Sequence, residues 1–396
     1  MADKREVVVL SAVRSAVGTF NGALAGMEPA ELGGVVFKEA IARSGVDPKQ
    51  ISFATVGNCI PTESRYAYVA RVSTIQAGLS MDSVAFAVNR LCGSSQQAIV
   101  NSAQAILLGD ADFALGGGVE VMSRGAYLMP TLRSGARMGD TQAIDAMVAV
   151  LTDPFGVGHM GITAENLAAK HGIGREAQDA FAVESQNRAA KAIAEGRFKS
   201  QIAPITLKTR KGDVVFDTDE HPRAGTTMET LAKMKPAFKK DGTVTAGNAA
   251  QQNDAAAACL VVAEDRLEAL GLTPMAFLVG WAAAGCEPAT MGIGPVPAVK
   301  RLFARTGLSF DDMALVEVNE AFACQVLSVA KGWGWNDPDR LNVNGSGISL
   351  GHPIGATGVR IMTSMLHELR RRGGRYALET MCIGGGQGIA AVVERA

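Results

Sequence analysis

Apolar and polar positions follow two periods along this chain, and their order predicts a layered α/β protein. The run VVVLSAV at residues 7–13 is apolar and β-branched, which predicts a strand buried on both faces; shorter runs at 53–57 and 84–88 predict two more. Residues 29–44 open with a proline and carry apolar side chains at helical spacing, which predicts a helix. After residue 88 comes Cys92-Gly93-Ser94-Ser95. From 96 to 108 a helical pattern returns, with Ile99, Ala103 and Ile106 on one face and Val100 and Leu107 beside them. Residues 112–115 then predict a strand that empties into Gly116-Gly117-Gly118.

The last third repeats this order. A predicted strand at 314–318 leads into Asn319-Glu320-Ala321-Phe322, and Gly351-His352-Pro353 opens a predicted helix with Ile361, Met365 and Leu369 on its inner face. A strand at 376–382 enters Gly384-Gly385-Gly386, and 388–393 completes the run. Element order, rather than residue identity, points to two similar halves, each with a reactive residue at a helix start and a glycine cluster at a strand end. From 121 to 248 the pattern changes to scattered methionines and many loop signals, which reads as an insertion between the halves.

At 396 residues the chain exceeds one ordinary core, so two or three domains are expected. With 47% apolar and 19% charged residues it can bury a large interior, which argues against disorder. A formal net charge of −1 offers no basic field for nucleic acid and no polybasic arm for a membrane. Charge effects must be local: residues 197–240 hold ten Lys or Arg against five Asp or Glu. That surplus reads either as solvated surface or as a place for a phosphorylated ligand. No apolar stretch reaches transmembrane length, and the start MADKREVVVLSAV lacks a secretory pattern, so a cytoplasmic protein is expected.

The six cysteines are dispersed, without a C-x-x-C or a histidine at zinc-finger spacing, which counts against a metal or disulfide framework. Cys59, Cys259 and Cys286 read as small buried hydrophobes. Cys92 differs. It stands between a strand and a helix, where unpaired N–H groups and the positive dipole end favour a thiolate, and its small neighbours leave room for a carbonyl. The plain alternative is an inert buried thiol. His352 lies in a glycine-dense run of turns from Asn344 to Gly358; an imidazole there can take a thiol proton, or be a satisfied structural group. Cys382, before the last glycine cluster, is a second thiol at a strand end, able to exchange a proton with carbon or simply to be buried. Asn319 and Glu320 offer an amide that can hold a water and a carboxylate.

Five segments together carry a family resemblance. Asn89-Arg90-Leu91-Cys92-Gly93-Ser94, Gly117-Gly118-Val119-Glu120-Val121-Met122-Ser123, Asn319-Glu320-Ala321-Phe322-Ala323, Asn344-Gly345-Ser346-Gly347 through Gly358, and Cys382-Ile383-Gly384-Gly385-Gly386-Gln387-Gly388 resemble the signatures of the thiolase family, in family order and across nearly the whole chain. The resemblance implies an α/β thiolase fold of two similar halves, with mixed five-stranded sheets covered by helices, plus an inserted loop domain. The halves would be 1–120, completed by about 249–273, and 274–396, with the coenzyme A-binding loop domain at 121–248. It also implies a homotetramer, a dimer of dimers.

The implied activity is that of an acyl-CoA C-acyltransferase: reversible Claisen condensation of acyl-CoA with acetyl-CoA, or thiolysis of 3-ketoacyl-CoA, by a ping-pong route through acyl-Cys92. By similarity, Cys92 would be the acylated nucleophile, His352 its activating base, and Cys382 the acid/base acting on the α-carbon of the second acyl-CoA. Asn319 would hold a water that forms one oxyanion hole with His352, and the N–H groups of Cys92 and Gly384 would form the other. Acyl-CoA and CoA would be the partners, with no metal and no cofactor. Arg223 and nearby basic residues would meet the nucleotide end of CoA, while Leu151, His159, Met160, Phe238, Ala250, Met291, Ala321 and Phe322 would line the pantetheine channel.

Two departures from the family pattern bear on substrate choice. Asn248-Ala249-Ala250-Gln251-Gln252-Asn253-Asp254 carries Ala250 where many relatives place a serine hydroxyl against CoA, and Ser95-Gln96 replaces Gly-Leu after the nucleophile. Two other readings share the fold: a ketoacyl synthase-like condensing enzyme, and a non-catalytic acyl-CoA binding protein. Cys382 and the long insertion speak against the first, since that family uses two histidines and lacks the insertion. The intact set of Cys92, His352 and Cys382 speaks against the second.

Overall fold

Strand β1 (Val7–Ser15) is buried at every residue. Val8, Leu10 and Val13 turn to one face and Val7, Val9 and Ala12 to the other, the parity changing at a bulge between Val9 and Ser11. In the computed structural model, which describes residues 5–335 and 337–396, this strand is the seam of the molecule. On one side it pairs with β5 (Asn253–Ala263), followed by β4 (Phe113–Val121), β2 (Phe53–Gly57) and the edge strand β3 (Val84–Val88). The first two pairings are antiparallel and the last two parallel.

The second half repeats that scheme. Strand β6 (Ala276–Gly285) pairs antiparallel with β9 (Gln387–Arg395), which pairs antiparallel with β8 (Tyr376–Ile383), and β8 pairs parallel with β7 (Met313–Val318). At the fifth position Leu341 alone bridges to Val316, again in parallel. A short pairing of Val8–Val9 with Ala276–Phe277 joins the halves into one path of strands.

Helices cover both faces. Helix α1 (Pro29–Ser44) begins on a proline, ends on left-handed Gly45, and packs Leu32, Val36 and Phe37 against Val8, Leu115 and Leu260. Helices α2 (Ser94–Leu108) and, in the second half, α5 (Thr357–Arg372) meet on the opposite face, where Ile99, Ala103, Met365 and Leu369 share a core with Val9, Val261, Ala377 and Val393. A fully buried side chain such as Phe37 stabilises by about 1.5–3 kcal/mol, and truncating it to alanine costs about 3–5 kcal/mol.

Three expectations change in physical terms. Gly116, Gly117 and Gly118 lie inside β4 rather than after it. They are small because a Cβ would stand 2.8 Å from Ile99 Cα, 2.8 Å from the Phe37 ring and 2.5 Å from the Gly355 carbonyl oxygen, respectively. His352 does not open a helix: it lies five residues before α5, with a 3-10 turn, Ile354–Ala356, between them. Of the predicted inner face of α5, Met365 and Leu369 enter the common core, while Ile361 packs separately with Met381, Ile383 and Ile389, against Leu91.

The stretch between β4 and β5 holds short hairpins and two longer helices, α3 (Met160–His171) and α4 (Arg175–Ala194). It is fastened to the first half by a bidentate, fully buried ion pair between Arg14 and Asp219, at 2.7 and 2.9 Å. Ile202–Ala203 also pairs with the end of β1. No helix among the described residues is long and apolar enough to cross a membrane.

Candidate active site

The end of β3 and the start of α2 are joined by a tight turn at Leu91–Gly93, in which Leu91 adopts φ 47°. Cys92 therefore sits two residues before the helix begins, next to a strained non-glycine backbone at Leu91. Gly93 lies close against Ile383, since a Cβ there would be 2.6 Å from its Cδ1. The second half supplies the facing wall. The turn between β8 and β9 carries Gly384, and the N–H groups of Gly384 and of Cys92 itself both favour the Cys92 thiolate.

One cavity of about 290 Å³ joins Cys92, His352 and Gly384. Its walls include Leu151, His159, Met160, Phe238, Ala250, Met291, Ala321 and Phe322, so every residue expected along an uncharged channel is present. Cys382 and Asn319 are not on its surface; both are fully buried. Cys382 lies close enough to Cys92 that the charge of one raises the other's pKa. Arg223 is exposed and is not on the cavity wall; its backbone N–H donates to Gln186 and its carbonyl accepts from Thr226. Lys233, Lys235, Lys239 and Lys240 are also exposed, and flank Ala237 and Phe238 of the cavity wall.

The aromatic wall is built by close packing. Phe238 stacks on His159 at 4.8 Å and meets Phe322 edge-on at 6.2 Å. Beneath it lies Gly161, where a Cβ would come within 2.2 Å of the ring. His159 caps α3, its Nδ1 accepting the N–H of Gly161 at 3.1 Å. Segments 248–250 and 321–323 are zipped together, since the N–H of Ala250 donates to Ala321 and that of Ala323 to Asn248, each at 2.9 Å.

The electrostatics differ from the expectation for a helix-start thiol. Burial pushes the Cys92 thiol up to about 11, although two N–H donors favour the thiolate. Burial, and then the charge of Arg360, push His352 down to about 3, so the imidazole is neutral. Cys382 is raised well above the ordinary thiol range, first by burial and then by Cys92. The site thus holds a thiol and a neutral imidazole rather than an ion pair, and proton transfer must accompany attack on the thioester.

His352 is oriented from several sides. Its backbone N–H donates to Asn253 Oδ1 at 2.9 Å, next to Gly351 at φ 98°, where a Cβ would collide with the Asn253 side chain. Thr357 Oγ1 lies 2.6 Å from Nδ1. The Asn319 amide nitrogen is 3.4 Å from Nε2 and 3.5 Å from Nδ1, and Asn319 Oδ1 is buried without a partner among the described residues.

Sequence reasoning missed Met122, Val150 and Ile354 on the cavity wall, and Thr357, Asn253 and Glu120 behind it. Thr357, Glu120 and Met122 stood within the motifs quoted above, but their spacing carried no sign of what they touch. Among the described residues no group of three or more His, Cys, Asp or Glu is arranged to hold a metal ion.

Comparison with known proteins adds the family. The description "Thiolase, N-terminal domain" matches residues 7–265, and "Thiolase, C-terminal domain" matches residues 272–395. Beta-ketothiolase BktB of Cupriavidus necator is 54% identical, covering 99% of this chain and 99% of its own length. An acetyl-CoA acetyltransferase of Chromobacterium violaceum is 48% identical, over 98% and 100%. The crystal structure of human mitochondrial 3-ketoacyl-CoA thiolase superposes with a TM-score of 0.97 at 43% identity, covering 100% of both chains; a structure of that protein in complex with CoA gives 0.96 at 42%, covering 100% and 99%.

Proposed function

The chain belongs to the thiolase family and is an acyl-CoA acyltransferase; from that premise we propose that it transfers acyl groups through Cys92, in reversible condensation of acyl-CoA with acetyl-CoA or thiolysis of 3-ketoacyl-CoA. The observation that supports the residue assignment most is the single cavity shared by Cys92, His352 and Gly384.

In the synthetic direction, Cys92 Sγ bonds to the acyl carbon while its proton passes to His352 Nε2. The bond to CoA sulfur breaks, and the leaving thiolate takes that proton. The N–H groups of Cys92 and Gly384 receive the thioester oxygen. With Cys92 acylated, Cys382 gives its proton to His352 Nε2 and, as the thiolate, takes one from the α-carbon of acetyl-CoA; the enolate carbon attacks acyl-Cys92, and the freed Cys92 thiolate is reprotonated from His352 Nε2. His352 and a water on Asn319 stabilise the enolate oxygen; losing one such donor costs about 10²–10³ in rate.

The apolar walls at Leu151, Met160, Phe238, Met291, Ala321 and Phe322, with His159 and Ala250, suit pantetheine. Arg223 and the lysines from 233 to 240 suit the phosphates of the nucleotide end. CoA thioesters are the substrates, and the chemistry calls for no metal or redox cofactor. We assign the halves to 1–120 with 249–273 and to 274–396, and the CoA-binding insertion to 121–248. Six free thiols suit a reducing cytoplasm. Exposed apolar residues on edge strand β3, Val84 at 58% and Phe86 at 42%, and Tyr127 at 66% on a surface hairpin, support assembly into a homotetramer.

The test is incubation with acetyl-CoA followed by mass spectrometry, together with thiolysis rates over 3-ketoacyl-CoA esters of increasing length. Acetylation on Cys92 and CoA-dependent cleavage are expected. Binding of CoA without any acylated cysteine would leave only a scaffold role.

A further inference from the structure

Glu120 is fully buried at the end of β4, and neither the nucleophile nor the base touches it. Its Oε1 accepts Asn58 Nδ2 and the N–H of Ile60, both at 3.1 Å; its Oε2 accepts the N–H of Cys59 at 3.0 Å and of Gly355 at 2.9 Å. All four partners donate, so the acceptor-only carboxylate is the form that fits.

Those donors come from both halves. Cys59 follows β2 and reaches the nucleophile's turn, its Sγ lying 3.3 Å from the Leu91 carbonyl and 3.2 Å from Ser94 Oγ. Gly355 lies three residues after His352. Its loop is docked on first-half backbone so tightly that a Cβ on Gly57 or Gly118 would stand 2.6 or 2.5 Å from the Gly355 carbonyl oxygen. The His352 loop is also held by Glu320, which accepts the N–H of Ile348 at 3.2 Å, and by Asn253 at His352 itself. Of these three anchors, Glu120 is the one that also holds residues 58–60, from which the Cys59 sulfur reaches the Cys92 turn.

We propose that Glu120 is a positioning residue for the acyl-transfer reaction, a carboxylate clamp that sets how the Cys92 turn and the His352 loop face each other. This rests on the assignment of Cys92 and His352 made above. Burial pushes the Glu120 carboxyl up to about 7 against the N–H groups that favour its carboxylate; burial likewise is the first cause of the raised Cys92 thiol, and the Glu120 charge adds to it.

Glu120→Gln preserves shape but turns one acceptor edge into a donor facing two donors. Misplacing reacting groups by a fraction of an ångström lowers kcat by about ten- to hundredfold. We expect that fall with KM for CoA changed less than about threefold, because the channel wall does not include Glu120. The fraction of chains acetylated on Cys92 at saturation should stay at the wild-type level. The pH midpoint of Cys92 alkylation by iodoacetamide should move down with the lost charge, while Cys59, Cys382 and His352 remain as they are. A kcat within threefold of wild type, a fall matched by an equal loss of acylable chains, or an unmoved alkylation midpoint would each overturn the proposal. If Glu120→Gln does not fold, Gly355→Ala serves: its methyl would come 2.6 Å from Oε2 and must reproduce the kcat loss with KM and acylable fraction kept, and a wild-type kcat overturns the clamp. Failure of wild-type enzyme to acylate Cys92 would instead remove the reading on which the clamp rests.

Discussion

The Thr357 hydroxyl lies 2.6 Å from His352 Nδ1 and donates its own proton to the Pro353 carbonyl, 2.8 Å away. Having spent its proton, Oγ1 can only accept from the ring, which assigns the proton to Nδ1 and leaves Nε2 as the basic atom. Thr357→Val keeps the branched shape and removes that acceptor, leaving a buried Nδ1–H unpaired or the other tautomer populated. We expect kcat for thiolysis to fall by about 10- to 100-fold with little change in KM, and Thr357→Ser to restore it. Equal activity of the Val variant would show that the tautomer is fixed by something else.

Gly161 and Phe238 give a second expectation, on binding rather than chemistry. A methyl at 161 would overlap the ring at 2.2 Å, and the ring is a partly buried wall of the cavity with room to swing into it. Gly161→Ala should raise KM for CoA by about tenfold or more, the equivalent of about 1.4 kcal/mol of lost binding. Alkylation of Cys92 by a small reagent should be far less affected. A KM unchanged by the substitution would mean that CoA does not pass Phe238.

These two residues show what was legible in the chain and what was not. Apolar runs and period-3.6 patterns placed β1, α1, β2, β3 and α2 within a residue or two at most ends; β1, α1, β2 and α2 bury those apolar positions, whereas β3 leaves Val84 and Phe86 exposed at the sheet edge. The cysteine motifs placed the thiols. Glycines were harder: Gly116 to Gly118 look like a turn by composition but are strand, since their smallness answers to Ile99, Phe37 and Gly355, residues far away in sequence. Thr357 and Glu120 were invisible for the same reason, as their partners become neighbours only after the halves dock. The effect of burial on Cys92 was also out of reach, because a helix start predicts a stabilised thiolate and the depth of the site reverses the sign.

Alkaline pH should weaken the fold. All six thiols stand above their ordinary value: Cys92 and Cys286 at about 11, Cys324 at about 12, with Cys59, Cys259 and Cys382 also raised, burial being the first cause in each. Above the reference value of 9.0 the unfolded chain gives up thiol protons that the native chain retains. The unfolded state then binds fewer protons, so the stability present below that pH is lost as pH rises toward the folded values. A fully buried thiol such as Cys259 contributes a slope of about 1.4 kcal/mol per pH unit. The urea midpoint should therefore fall between about pH 8.5 and 10, and less steeply in Cys259→Ala. A flat midpoint would mean that the thiols reach solvent in the native state.

The two reactive thiols should separate the half-reactions. Cys92 lies on the cavity surface and carries the N–H pair, whereas Cys382 is behind it, buried and close enough to feel the charge on Cys92. Cys92→Ser changes little volume and leaves a far weaker nucleophile, so acyl-enzyme should vanish from the mass spectrum while the melting temperature holds. Cys382→Ser removes an acid whose proton balances the α-carbon, but not the group that attacks the thioester. Acyl-Cys92 should therefore still accumulate from acetyl-CoA, and condensation should stop at that stage. If Cys382→Ser abolishes acylation as completely as Cys92→Ser does, the buried thiol must support the first step as well. Its proximity to Cys92 would then matter more to ionisation of the nucleophile than to carbon acid chemistry.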